Sequence, residues 1–227
     1  MANQGRMVDF STDGRTARGY LIELDGPGPH PALIVVHEWW GLNDHIKDIA
    51  GRFADQGYVA LAPDLYEGKL ATDPDTAGKY MQGLDQKQAL ATLDGAINHI
   101  KSLSNVAAGR IGVTGFCMGG TYALLLACHS SDIKASVPFY GDVPTEDVLK
   151  NLSAPVLFIG AENDFWITKD KIDRLRDAMQ KFNKPGEVKV YSGASHAFFN
   201  NTRPDVYNKE AAADVWQRVT GFFASHL

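Results

Sequence analysis

The sequence predicts an α/β fold with a mostly parallel sheet, an N-terminal antiparallel hairpin and helices on both faces of the sheet. From residue 32 onward, short apolar segments rich in β-branched residues alternate with amphipathic segments at helical spacing, which is typical of a parallel sheet covered by helices. Before residue 32, two short segments flank a glycine-containing turn, which indicates a hairpin. No linker or repeat interrupts the 227 residues, so we expect a single domain over 1–227.

The predicted strands follow from these segments in order. The hairpin is predicted over 7–10 and 17–24, with a turn at 12–15. Five later segments have the length and composition of buried strands: 32–37, 58–62, 110–114, 135–140 and 155–159. A sixth, over 187–191, alternates more strongly and is predicted nearer a sheet edge.

The predicted helices lie between these strands. Apolar residues recur at helical spacing over 44–56, and Gly57 stands where a C-terminal stop is expected. The same spacing predicts helices over 86–103, 169–182 and 209–223, and an apolar helix over 121–128. Parallel sheets of this kind carry their chemistry at the carboxyl ends of the strands.

Composition and charge exclude several classes of function. The chain has 22 Lys and Arg against 27 Asp and Glu, a net charge of −5, and no Lys/Arg-rich run, so we expect no nucleic-acid partner. No stretch approaches the roughly 18 apolar residues of a membrane span, and the N-terminal segment lacks the apolar core of a secretory signal. Two cysteines in a chain of this size indicate reduced thiols. We therefore expect a cytoplasmic monomer that does not contact membranes.

A cysteine lies at the centre of a glycine-rich turn between a predicted strand and a predicted helix. Residues 115–119 read Gly-Phe-Cys-Met-Gly, the nucleophile-elbow pattern with cysteine in place of serine. The helix N-terminus favours the thiolate, which is the reactive form of Cys117. The N–H of the next residue, Met118, is a candidate oxyanion donor. A second donor is expected from the loop after an earlier strand, where Trp39 is the candidate.

An acid and a histidine follow two later strands in the chain order that this motif requires. Asp164 comes after the strand predicted over 155–159, and His196 comes after the one over 187–191. His196 would accept the thiol proton and later protonate a leaving group, while Asp164 would hold the imidazole in one tautomer. Glu162 is the alternative acid, and Asp164 is preferred because it lies deeper in the turn.

Other chemistry-bearing residues receive no catalytic role. His37 begins an apparent H-E-x-x-H motif, but the fifth position is Gly41, so the zinc interpretation fails. Cys128 lies eleven residues after Cys117, about 16 Å along an intact helix, so the two cannot form a disulfide. Cys128 is interpreted as a packing residue. No metal or organic cofactor is implied.

Together these motifs resemble the dienelactone hydrolase family of the α/β-hydrolase fold over nearly the full length of the chain. The matching segments are His37-Glu-Trp-Trp-Gly-Leu42, Ala62-Pro-Asp-Leu-Tyr66, Gly115-Phe-Cys-Met-Gly-Gly120, Gly160-Ala-Glu-Asn-Asp164 and Gly193-Ala-Ser-His-Ala-Phe198. The resemblance implies a triad of Cys117, Asp164 and His196. It also implies that Glu38 reaches the thiol and is tied to its protonation state. The expected chemistry is ester or lactone hydrolysis through a thioester acyl-enzyme.

The substrate-binding residues match the family less fully. Family members that act on the carboxylated dienelactone bind its carboxylate with arginines, one of them a few residues past the catalytic histidine. Here the fourth residue after His196 is Asn200 and the nearest arginine is Arg203, which is the charged candidate for substrate binding. The expected substrate is a small-molecule ester or lactone. Three aromatic residues are candidates to line its pocket: Tyr140, Trp166 and Phe198.

Two other functions stay open at this point. The elbow would also suit a flavodoxin-like thiol protein in which Cys117, beside a glutamate, serves redox sensing or protein repair. The same fold could also carry a non-catalytic binding domain. Asp164 and His196, which occur in the order of the hydrolase triad, favour the hydrolase over both.

Overall fold

The computed structural model describes residues 4–227, in which eight strands and seven helices are found. The strands are β1 (Arg6–Thr12), β2 (Arg15–Ile22), β3 (His30–Val36), β4 (Val59–Pro63), β5 (Val106–Phe116), β6 (Ile133–Phe139), β7 (Val156–Asn163) and β8 (Gly186–Ser195). The helices are α1 (Asp44–Ala54), α2 (Pro74–Gly83), α3 (Gln86–Ser102), α4 (Met118–His129), α5 (Glu146–Leu149), α6 (Lys169–Lys181) and α7 (Lys209–His226). None of the helices in this part of the chain combines the length and apolarity needed to cross a membrane.

The strands form one eight-stranded sheet in the order β1-β2-β4-β3-β5-β6-β7-β8. β2 pairs antiparallel with both β1 and β4. The pairs β3–β4, β6–β7 and β7–β8 are parallel. The predicted sheet, mostly parallel with an N-terminal antiparallel hairpin, is therefore confirmed. The segment 187–191 lies in β8 at the edge of the sheet, as its alternating pattern predicts.

The chain packs as two compact units, of which the first ends at Gly112. Its hairpin turns at Asp13 and Gly14, whose φ angles are 37° and 76°, and positive φ at both positions suits a two-residue hairpin turn. Helix α1 packs on β3 and β4, which are almost fully buried. The side chain of Asn43 caps α1 by accepting a hydrogen bond from the Ile46 N–H at 3.2 Å.

The second unit runs from Val113 to Leu227. Its helix α4 packs on β6 and is buried on nearly all sides, which explains why the sequence of α4 is apolar all round and carries no amphipathic stripe. Helix α7 packs on β6 and β7. Its apolar stripe, Val215, Val219 and Phe223, is fully buried. The single domain over 1–227 that the sequence predicts stays a prediction.

Several element boundaries differ from the prediction. Strand β7 continues to Asn163 and β8 to Ser195, so the polar residues before Asp164 and His196 lie in strands rather than in loops. Helices α2 and α5 were not predicted, since α2 buries only Ala77 and α5 has four residues. Strand β5 begins at Val106 rather than at the predicted residue 110. Its first half was not predicted because it is mostly exposed and lacks an apolar pattern.

Helix α4 and the end of β6 approach each other closely at two glycines. A Cβ atom added to Gly120 would overlap the Phe139 carbonyl oxygen, and one added to Gly141 would overlap the backbone of Gly120 and Thr121. Any side chain at either position would therefore push the helix away from the strand. The Thr121 hydroxyl oxygen accepts a hydrogen bond from the Asp142 N–H at 2.8 Å and holds the two segments together.

We expect Gly120→Ala to lower the free energy of unfolding by roughly 1–3 kcal/mol, because the new methyl group meets backbone atoms that cannot move independently. Gly221→Ala is the matched control, since nothing lies within 4 Å of the added Cβ in α7. That control should be neutral or gain up to about 1 kcal/mol of helix propensity. Urea unfolding of both variants provides the measurement, and equal stabilities would contradict the close approach.

Candidate active site

Cys117 lies at the sharp junction between β5 and α4. Its φ and ψ are 57° and −118°, a conformation that non-glycine residues rarely adopt and that costs roughly 1–3 kcal/mol. The junction is held from both sides, because the Cys117 N–H donates to the Phe139 carbonyl at 3.0 Å and its carbonyl accepts from the Thr121 N–H at 3.1 Å. The glycine-rich turn that the sequence predicts between strand and helix is therefore present, with strained backbone at Cys117.

The helix that begins beside Cys117 favours negative charge at this point. Met118 is the first residue of α4, and the first turn of the helix contains no acidic residue. Its backbone N–H groups and the helix dipole stabilise an anion at the N-terminus. Cys117 itself is 7% exposed, so an anion there would be largely shielded from water.

Asp164 and His196 directly follow β7 and β8 and are joined by a hydrogen bond. The distance from Asp164 Oδ2 to His196 Nδ1 is 2.6 Å. The other oxygen, Oδ1, accepts from the backbone N–H groups of Trp166 at 2.8 Å and Ile167 at 2.9 Å. The Asp164 side chain is fully buried, whereas that of His196 keeps 15% of its surface exposed.

These contacts decide the charge of Asp164 and the tautomer of His196. Burial acts to raise the pKa of Asp164, but the hydrogen bonds from His196, Ile167 and Trp166 outweigh it and hold the pKa below its usual value. An ionised carboxylate can only accept hydrogen bonds. The proton of the neutral imidazole therefore lies on Nδ1, which leaves Nε2 as the basic atom.

Glu162, the alternative acid, has different partners. It lies in the exposed last part of β7 and accepts hydrogen bonds from the Ser192 hydroxyl and the Gly193 N–H, each at 2.8 Å. The bond from Gly193, followed by that from Ser192, lowers the pKa of its carboxyl. These bonds tie the end of β7 to β8.

Three aromatic rings lie beside His196, and a fourth packs behind one of them. The ring of Tyr140 lies 5.0 Å from the imidazole, that of Trp166 lies 5.5 Å away, and that of Phe165 lies 6.2 Å away. Phe198 contacts Tyr140 rather than His196, with 5.8 Å between ring centroids. Tyr140 and Phe198 are fully buried. Phe165 is not among the residues predicted from the sequence, although its place between Asp164 and Trp166 was an available signal.

Arg203 and Lys171 each lie in an ion pair. Arg203, the candidate for substrate binding, pairs with Asp205 at 2.7 Å. Lys171 lies over the Trp166 ring at 5.7 Å and pairs with Asp142 at 2.8 Å. The carboxylates offset both positive charges.

The second cysteine, Cys128, lies in surroundings that disfavour its thiolate. Burial raises the pKa of the Cys128 thiol to about 12, and Lys184 opposes this only in part. At neutral pH this thiol is therefore protonated and a poor nucleophile.

In the first unit, the loop after β3 carries Glu38 and Trp39. Glu38 is almost fully buried, at 1% exposure. The ring of Trp39 packs edge-on against Trp40, with 5.0 Å between the centroids.

His37, which the sequence suggests only as a metal ligand, instead fixes this loop. Its Nδ1 lies 2.6 Å from the Glu38 carbonyl oxygen, and its Nε2 lies 3.1 Å from the Leu65 nitrogen. Leu65 can only donate through its N–H, so Nε2 accepts and Nδ1 donates. The neutral ring thereby joins the loop after β3 to the loop after β4.

A comparison with known families assigns the chain. The model of the dienelactone hydrolase family matches residues 17–227. The chain belongs to the dienelactone hydrolase family.

Individual relatives agree with this membership. Protein usf from Aquifex pyrophilus is 40% identical over 232 residues, which cover 98% of this chain and 99% of that protein. A relative from Aquifex aeolicus, provisionally named carboxymethylenebutenolidase, is 37% identical with the same coverage of both chains. A solved structure from Klebsiella pneumoniae, provisionally described as a dienelactone hydrolase, superposes with a TM-score of 0.88 at 31% identity and covers 98% of this chain and 99% of that one. The chain is thus a hydrolase of the dienelactone hydrolase type, and the predicted α/β-hydrolase fold is confirmed.

We expect the buried His37 to make this hydrolase less stable at mildly acidic pH. Burial lowers the pKa of His37, although the Glu38 carbonyl and the charge of Asp64 oppose the shift. The unfolded chain therefore binds a proton near pH 6.5 that the folded chain resists, so stability is full above about pH 6.5 and falls as the pH decreases.

His37→Gln removes this titration and retains an acceptor for the Leu65 N–H. Unfolding measured between about pH 7 and pH 5 should depend less steeply on pH in the variant than in the wild type. A variant as pH-dependent as the wild type would contradict the neutral, buried state of His37.

Proposed function

We propose that this chain hydrolyses small esters or lactones with Cys117 as nucleophile, His196 as general base and acid, and Asp164 as the residue that orients His196. The observation that carries the proposal is the hydrogen bond between His196 Nδ1 and the buried Asp164 carboxylate, within the same compact unit as the strained Cys117 junction. The names of the relatives favour lactones. No cofactor is needed for this chemistry.

Acylation would begin when the Cys117 thiol transfers its proton to His196 Nε2. The sulfur attacks the carbonyl carbon, and a tetrahedral oxyanion forms. When the oxyanion collapses, the bond between the carbonyl carbon and the leaving oxygen breaks. The leaving oxygen takes the proton from His196, and the acyl group stays on Cys117 as a thioester.

Deacylation would reverse these roles with water. His196 removes a proton from a water molecule, whose oxygen attacks the thioester carbonyl. The bond from carbon to sulfur breaks, the carboxylic acid leaves, and the sulfur recovers its proton from His196. Asp164 stays ionised throughout and stabilises the imidazolium that forms in each half-reaction.

The remaining roles are oxyanion stabilisation, control of thiol protonation and substrate binding. We assign the oxyanion to the N–H groups of Met118 and Trp39, because each occupies the post-strand position that this motif uses. The resemblance assigns Glu38 an influence on the protonation of the thiol. Tyr140, Trp166, Phe198 and Arg203 are the proposed substrate-binding residues: Trp166 and Arg203 would contact substrate, and the fully buried Tyr140 and Phe198 would support the pocket from behind.

We also propose that the chain forms one functional domain and works in a reducing compartment. The match to residues 17–227 supports one functional domain. A nucleophilic thiol needs a reducing compartment, so we propose a cytoplasmic location. The sheet order and the family membership favour hydrolysis over the flavodoxin-like thiol function.

Cys117→Ala should lower the hydrolysis of 4-nitrophenyl acetate by about a thousandfold or more, because no nucleophile remains. Cys128→Ala is the matched control and should retain wild-type turnover, because its protonated thiol takes no part. Equal turnover of Cys117→Ala and the wild type would refute the assignment.

The acyl-enzyme should be detectable on Cys117. Trypsin cleaves after Arg110 and Lys134 and leaves both cysteines on one peptide, so the experiment uses Cys128→Ala. Acid quenching during turnover, followed by mass spectrometry, should show one added acetyl group on residues 111–134. An unmodified peptide during a measured burst of 4-nitrophenol would contradict the thioester intermediate.

Asp164→Asn should lower kcat by about 10³–10⁴-fold, because the amide donates to Nδ1 and forces the proton onto Nε2. The amide oxygen can still accept from Trp166 and Ile167, so the fold should be retained. Glu162→Gln is the control and should keep wild-type kcat. If Glu162→Gln loses activity and Asp164→Asn does not, the acid is Glu162.

A further inference from the structure

Phe165 exposes an unusually large apolar surface beside His196. The side chain is 89% exposed, whereas the other exposed large apolar side chains in residues 4–227 range from 36% for Tyr207 to 51% for Leu70. Its ring nevertheless lies 6.2 Å from the imidazole of His196. Single exposed apolar residues are common, so the proximity to His196 matters more than the exposure.

The backbone around Phe165 is held in place. Asp164 Oδ1 accepts hydrogen bonds from the N–H groups of the next two residues after Phe165, Trp166 and Ile167. Ile167 is 1% exposed and anchors the turn in the core. The same carboxylate binds His196 through its second oxygen. One buried group therefore positions both the imidazole and the backbone turn from which the exposed ring projects.

The surroundings of Phe165 suit an uncharged group. Trp166 lies 5.5 Å from the imidazole on the same turn and adds a second ring. Lys171, which lies over Trp166, is paired with Asp142. The two rings therefore offer apolar surface whose neighbouring charges are already balanced.

We propose that Phe165 binds the leaving group of the substrate, and that the preferred substrates are esters or lactones whose alcohol part is uncharged, flat and apolar. This rests on the proposed function, in which His196 gives its proton to the leaving oxygen. The leaving group must then lie beside the imidazole, where Phe165 is exposed. Covering about 55 Å² of the ring by such a group corresponds to about a tenfold gain in kcat/KM.

The test compares two acetate esters that form the same acetyl-enzyme. One is 2-naphthyl acetate, with a large flat leaving group, and the other is 2,2,2-trifluoroethyl acetate, with a small one. Phe165→Ala should lower kcat/KM about tenfold for the naphthyl ester and less than twofold for the trifluoroethyl ester. The deacylation rate should not change, because the leaving group has departed by then.

Three further measurements separate binding from a structural role. Phe165→Tyr retains the ring and should restore the preference for the naphthyl ester. Tyr207→Ala removes another exposed aromatic residue and should leave kcat/KM for both acetates at the wild-type value. Replacing acetate by butyrate at a constant leaving group should affect Phe165→Ala and the wild type equally.

The outcomes distinguish this inference from the proposed function. Wild-type hydrolysis that depends on Cys117, together with equal losses or no loss for both acetates in Phe165→Ala, would overturn the role of Phe165 and leave the proposed function intact. Hydrolysis that does not depend on Cys117 would overturn the proposed function itself. A loss confined to the naphthyl ester and restored by Phe165→Tyr supports both.

Discussion

The close approach of α4 to the end of β6 holds Cys117 and the strand end beside it in place. Gly120 and Gly141 leave no room for a side chain between helix and strand, so the chain must turn within a single residue, Cys117, whose φ is 57°. The strand end is equally constrained, because the Phe139 carbonyl binds the Cys117 N–H and the Tyr140 N–H binds the Ile159 carbonyl in β7. The backbone thus joins the candidate nucleophile to the strand that leads to Asp164.

Asp164 extends this constraint from the backbone to the side chains. Its buried carboxylate would be unstable if unpaired, yet three donors bind it: His196 and the N–H groups of Trp166 and Ile167. These bonds keep it ionised and hold the turn that carries Phe165 and Trp166. The same group therefore holds both His196 and the backbone of the turn from which the Phe165 ring projects.

Predictions from the sequence succeeded where one local pattern was sufficient. The hairpin, the buried strands and the helices with an apolar stripe were all predicted, because burial on one face or both leaves a periodic pattern. Helix α2 was missed because it buries only Ala77, although Asp73 and Pro74 form a recognisable N-terminus. The strand ends at 160–163 and 192–195 were missed because their polar residues resemble loop residues, and only pairing between β7 and β8 makes them strands.

The family, the chain order of the candidate residues Cys117, Asp164 and His196, and the turn at Cys117 could all be predicted from the sequence, because these depend on residue types at fixed spacings. Tertiary structure alone decided which carboxylate meets His196. Glu162 and Asp164 are two residues apart in one segment, and only the register between β7 and β8 directs Glu162 to Gly193 and Asp164 to His196. It also decided that His37 is a neutral link between two loops and that Phe165 is exposed. No local pattern encodes these outcomes, because each depends on atoms far apart in the chain.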